Sequence, residues 1–261
     1  MVPAATFART IGINYAGAET AESSLKSLRV FQASGTTPPV EVLPPASPRS
    51  YWSRHGIALW LVEQLSQDVP TLVGINHGFS FPLRYFEVHG LAPDWPAFLD
   101  DFQRHWPTDG QHNYVDTIRE GSHGHAAARL GNPRWLRLTD ERSGFRNRSV
   151  FQFTGRGAIG KLTHAGLPWL RVIRQQPGPK VHVWPFDGWV IPPGQSALVE
   201  VAPAICTRGI ARGLHDPAQH CAFSIALWLA REGAAWLHPP LTPAERTVAQ
   251  VEGWILGVPG R

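Results

Sequence analysis

Disulfide chemistry has almost nothing to work with in this chain, because its 261 residues include two cysteines, Cys206 and Cys221. A disulfide-stapled secreted scaffold is therefore excluded, and a reducing cytoplasm is the expected setting. No apolar run approaches the ~20 residues that a membrane helix needs, so no membrane partner is expected. The stretch from Met1 to Thr10 lacks a basic head followed by a long apolar segment, and no secretory signal is expected. Lysine is scarce as well: three residues against 21 arginines, in a chain with 49 glycines and prolines. That usage points to a GC-rich genome, so the number of arginines alone assigns none of them a function.

What is present is the balance of a folded globule, 43% hydrophobic and 17% charged. The length favours one elaborated domain over residues 1–261 rather than two. The net charge of +4 hides an asymmetry: Arg119 to Lys180 holds 12 basic and 3 acidic residues, whereas the remainder holds 12 basic and 17 acidic. Such a block suits a polyanion or an anionic small molecule, and equally an arginine-rich solvated loop.

Short apolar runs at Thr10–Ala16, Leu25–Gln32, Val40–Leu43 and Thr71–Asn76 read as strands, with an amphipathic helix over Ser50–Gln67 before the fourth. Trp95–Trp106 reads as a short helix. Residues from about 107 to 150 have weak periodicity and read as a long loop-rich insertion able to cover a site. A helix over Gly160–Gln175 is expected to break at Pro168. Strands follow at Val181–Trp184 and Ala197–Val201, then helices at Pro217–Arg231 and Pro243–Leu256, each with proline at its start.

Four segments in this order, IGINYAGA (Ile11–Ala18), VGINHGFSFP (Val73–Pro82), VEVAPAI (Val199–Ile205) and QHCAFSIALWL (Gln219–Leu229), resemble a bacterial family of predicted ribonuclease-H-like nucleases. SVFQFTGRGAIGKLTHAGLPWLR and the tail LTPAERTVAQVEGWILG are similar to it too. The resemblance spans nearly the whole chain. It implies an α/β fold with a ribonuclease-H-like mixed sheet flanked by helices. It also implies a two-metal site of clustered carboxylates, which would neutralise two cations and clamp a phosphodiester. The positions implied for those acids hold Asn14, Asn76, Glu200 and Cys221. Only Glu200 is acidic. Loss of three negative charges from a site meant for about +4 argues against metal hydrolysis, and Asp216 falls on a different helix face from Cys221.

The resemblance demands that these four side chains share one pocket, with Asn14 and Glu200 on the same face of the sheet. The favoured reading is a former metal cleft turned into a metal-independent pocket for a small organic substrate. Asn14, Asn76, His77, Glu200 and Cys221 would line it and act as its catalytic residues. Glu200 would be the general acid or base, and Cys221 with His77 a candidate nucleophile pair, set against Cys221 as a buried side chain on an apolar helix. Two rivals stand beside this reading: a nuclease with a reduced carboxylate set, and a non-catalytic nucleic-acid binder.

Gly155–Leu162 (GRGAIGKL) nearly spells a phosphate loop, but Leu162 offers no hydroxyl for magnesium, and a glycine-rich turn before a helix is the simpler account. Arg156 and Lys161 remain anion-binding candidates at that helix start. His112, His123 and His125 lack metal-site spacing. Trp184 and Trp189 are candidates for a pocket wall, with core packing the plainer reading. No cofactor or resident metal is expected.

Overall fold

The computed structural model describes residues 6–46, 49–145, 149–155, 157–176 and 181–260. Its strands are β1 (Arg9–Asn14), β2 (Arg29–Ser34), β3 (Val40–Glu41), β4 (Thr71–Ile75), β5 (His182–Val183), β6 (Ala197–Val201) and β7 (Ile255–Leu256). They form one mixed sheet in the order β3-β2-β1-β4-β6-β5, with β7 beside the far end of β6. The first three strands are mutually antiparallel, and β1, β4, β6, β5 and β7 run parallel. The runs at β1, β4 and β6 are almost continuously apolar because both faces of the sheet are covered.

The helices are α1 (Arg54–Leu65), α2 (Leu83–His89), α3 (Trp95–His105), α4 (Val115–Arg119), α5 (Leu138–Arg142), α6 (Gly160–Gln175), α7 (Pro203–Cys206), α8 (Pro217–Arg231) and α9 (Pro243–Glu252). Among the described residues, no helix is long and apolar enough to cross a membrane. On one face, Ile11, Ile13, Val73, Ile75 and Leu198 pack with α1 and α6. On the other, Leu72, Val199 and Val201 pack with Cys221, Ile225, Trp228 and Leu229 of α8.

Helix α8 starts on the local signal Asp-Pro-Ala-Gln. The Asp216 carboxylate accepts from the N–H groups of Ala218 (2.9 Å) and Gln219 (2.8 Å), and the Gln219 side chain accepts from the Asp216 N–H. The helix lies directly on β1. A Cβ at Gly12 would sit 2.3 Å from the Ala222 carbonyl oxygen, so only glycine admits this approach. That contact fixes where Cys221 meets the strand ends.

Three expectations need correction. The helix expected over Pro243–Leu256 ends at Glu252, and Ile255–Leu256 form β7 instead. Helix α6 does not break at Pro168. Proline has no N–H for the His164 carbonyl, four residues earlier, and the buried Thr108 hydroxyl donates to that oxygen instead at 2.6 Å. Thr108→Val should therefore cost about 1–3 kcal/mol in urea denaturation, and unchanged stability would contradict this role. The insertion over 107–150 is also more ordered than its weak periodicity suggests. It carries α4, a 3-10 turn at Ala126–Arg129 and α5, and it buries Val115, Ile118 and Ala126 in the main core.

Candidate functional site

Asn14 closes β1 and Asn76 follows β4, so the parallel pairing of these strands sets the two amides side by side. Thr10 bonds the Ala226 carbonyl and Gly12 abuts α8, so strand alternation turns Asn14 to the α8 face. Asn76 Nδ2 donates to Asn14 Oδ1 at 2.9 Å and reaches Cys221 Sγ at 3.8 Å. Asn76 Oδ1 accepts from the Tyr15 N–H (2.6 Å), and Asn14 Nδ2 donates to the Ser27 carbonyl (2.7 Å). Asn14, Asn76 and Cys221 thus meet as the resemblance implies, but as a neutral cluster whose amides find their partners within the protein. Two carboxylates here would repel at this distance unless a cation bridged them; two amides join by a hydrogen bond.

The thiol is not activated. Burial pushes the Cys221 pKa up to about 12, so it stays protonated near neutrality. His77 lies on the opposite face, edge-on to Tyr15 at 4.6 Å and against Gly166 of α6. Its Nδ1 is committed to the Gly78 carbonyl (2.9 Å), and burial lowers its pKa to about 4. The proposed Cys–His pair does not form.

Glu200 corrects the largest expectation. It pairs in register with Ile75 and shares the face of Leu198, away from Asn14 and α8. The demand for a shared pocket fails, and the four-residue site fails with it. The Glu200 carboxylate takes two bonds from Arg137, at 2.6 and 2.7 Å, and one from the Phe79 N–H at 2.9 Å. Arg137 is fully buried and also grips Asp140 at 2.9 and 3.0 Å. Burial alone would lower the Arg137 pKa, but the two carboxylates reverse this and hold the guanidinium charged. For Glu200, burial raises the pKa against the pull of Arg137. Beside it, Glu252 accepts from the backbone N–H groups of Leu83 (2.5 Å) and Leu138 (2.6 Å). Glu200 is thus a structural anchor that ties α5 of the insertion to the sheet. Sequence reasoning missed Arg137, Asp140 and Glu252; the three-residue spacing of Arg137 and Asp140 was the one available signal.

The described part of the charge block is dispersed by folding. Six of its eight described cations are paired with carboxylates: Arg129–Asp101, Arg137–Asp140 and Glu200, Arg142–Glu245, Lys161–Asp116, Arg171–Asp100 and Arg174–Asp187. All these acids except Asp140 come from outside the block, which is why the sequence alone shows an excess. Lys161 is therefore an ion-pair partner rather than an open anion site, and Arg156 lies outside the described residues. Asp216 caps α8 and pairs with Arg29 at 3.2 Å, which leaves it no role beside Glu200. Among the described residues, no group of three or more His, Cys, Asp or Glu side chains is placed to hold a metal ion.

The roomier cavities lie elsewhere. One of about 400 Å³ is lined by Trp228, Trp236, Phe145, Ile205, Arg208 and Glu232, with Gly257 and Val258 at its floor. Gly257 has φ +90°, and a Cβ there would press on the Trp228 ring at 3.0 Å, so glycine sets the indole against the floor. Among the described residues, neither Arg208 nor Glu232 takes part in an ion pair. Trp184 is fully buried and Trp189 packs edge-on to it at 5.3 Å, as core residues do. No family model, curated protein or solved structure matches the chain.

Proposed function

We propose that this chain is a mixed-sheet α/β domain that does without two-metal hydrolysis and binds a small organic zwitterion in the Trp228–Trp236 cavity. The strand order and directions around β1 and β4 are those expected of a ribonuclease-H-like sheet, whereas Glu200 and Asn14 on opposite faces count against that resemblance. The satisfied amides at Asn14 and Asn76, and a Glu200 committed to Arg137, argue against the nuclease rival. Pairing of six of the eight described cations in the block takes support from nucleic-acid binding, and any such binding is expected to be weak and to fade as salt rises.

One observation carries the ligand class. Glu232 caps the C-terminus of α8, where the helix dipole disfavours a carboxylate, and it lines a cavity walled by two indoles. A negative helix end, an unpaired carboxylate and aromatic faces together suit an organic ammonium. Arg208 on the same rim suits the carboxylate of that ligand. The cavity volume falls within the range usual for small-molecule sites.

Calorimetric titration with amino acids and betaines, beside analogues lacking one charge, tests this reading. The full zwitterions should bind best. Glu232→Gln and Trp236→Ala should each weaken binding by about tenfold, a loss of ~1.4 kcal/mol. Affinities untouched by either variant, or no binding across the panel, would contradict it.

A further inference from the structure

Behind the strand ends, on the face away from α8, lies a second cavity, small and walled by buried side chains. Tyr15, Arg54, His77, Gly166 and Trp169 border it, together with apolar residues of α1 and α6. Its volume is about 10 Å³, room for one species of roughly the size of water. Three polar atoms of these bordering residues have no hydrogen-bond partner in the protein: the Tyr15 hydroxyl, Arg54 Nε and Trp169 Nε1. The three residues are 5%, 0% and 8% exposed, so bulk water does not satisfy these atoms. Leaving three such groups unmet would cost about 1–3 kcal/mol each.

All three are donors. Trp Nε1 and Arg Nε only donate, and burial raises the Tyr15 pKa, which keeps its proton on the oxygen. Arg54 also brings a buried positive charge that forms no ion pair among the described residues, the exposed Glu19 carboxylate acting on it only at longer range. Its terminal nitrogens spend themselves on the carbonyls of Ala18 (2.6 Å) and Glu19 (2.8 Å). Glu19 adopts a left-handed φ of +56° in the turn that presents its carbonyl. The carboxylate of Glu19 itself is exposed.

We propose that this cavity is a binding site for a single monatomic anion of the halide class, held by Tyr15, Arg54 and Trp169. A water molecule accepts two hydrogen bonds and needs acceptors for its own two hydrogens. The bordering residues hold three unpartnered donors and, as an acceptor, the bare Nε2 of His77. A halide accepts all three bonds and cancels the buried charge of Arg54, which an uncharged occupant does not. The anion would brace α1 and α6 against the ends of β1 and β4, independently of the zwitterion cavity.

Thermal unfolding in sodium chloride, bromide and gluconate at equal ionic strength, with anomalous diffraction from bromide-soaked crystals, tests the site. Chloride and bromide at about ten times their dissociation constant should shift the folding equilibrium roughly tenfold relative to gluconate. Tyr15→Phe, which keeps the ring and removes one donor, should reduce that shift at least several-fold. A bromide peak between Arg54 and Trp169 would support the proposal. Equal melting temperatures in all three salts, a halide effect unchanged in Tyr15→Phe, or an ordered water with no bromide signal would each overturn it.

Discussion

Arg137→Met is expected to destabilise the protein by about 3–5 kcal/mol, among the largest losses of any single replacement. The side chain is fully buried and makes bidentate contacts with two carboxylates, so its removal strands Asp140 and Glu200 without a counter-charge. Lysine should not rescue it, because one ammonium cannot reproduce the two planar forks. Replacing the whole group, as Arg137→Met with Asp140→Leu and Glu200→Met, should recover much of the loss, since no charge is then buried alone. Chemical denaturation of the single and triple variants measures both effects. A single variant within about 1 kcal/mol of the parent would contradict the anchoring role. Glu200→Gln should by the same logic lower stability.

Glu200 shows why the site was only partly legible. Its strand was read correctly from ALVEV, but nothing in those five residues says which side faces α8. That parity is settled by register against β4, and its partner lies 63 residues upstream in a stretch with weak periodicity. Asn14, Asn76 and Cys221 were easier to bring together, because each sits at the end of a clear apolar element. Helix α8 carried its own start signal in Asp216-Pro217 and matched its expected bounds. Helix α6 matched its bounds too but not its expected break, because the group that rescues Pro168 is Thr108, which no local pattern connects to it. The excess of cations between Arg119 and Lys180 misled for a similar reason. Local charge counts omit Asp100, Asp101, Asp116, Asp187, Glu200 and Glu245, which folding delivers from elsewhere.

Acid should unfold the protein well before carboxylate protonation alone would. Burial lowers the pKa of His77 to about 4 and of His164 to about 3, against an ordinary 6.5. Both rings are neutral in the fold, whereas the unfolded chain takes up their protons below pH 6.5. Their contribution is therefore complete above that pH and is lost as pH falls toward 4 and 3. Each histidine adds a slope of about 1.4 kcal/mol per pH unit inside its window. Glu200 and Glu252, whose pKa values burial raises, act in the opposite sense. Comparison of the parent with His77→Gln isolates the histidine share. Between pH 6.5 and 5 the variant's stability should depend on pH less steeply by about 1.4 kcal/mol per unit, and an unchanged slope would contradict the assignment.

The account rests most on the closed contact among Asn14, Asn76 and Cys221, where a metal nuclease would keep an open, charged cleft. Titration of the purified protein with manganese, followed by calorimetry, tests that contact most directly. Three neutral side chains bonded mainly within the protein offer a hard divalent cation little, so no stoichiometric binding is expected in the micromolar range. A micromolar site of one or two ions per chain, abolished by Asn14→Ala, would contradict the account.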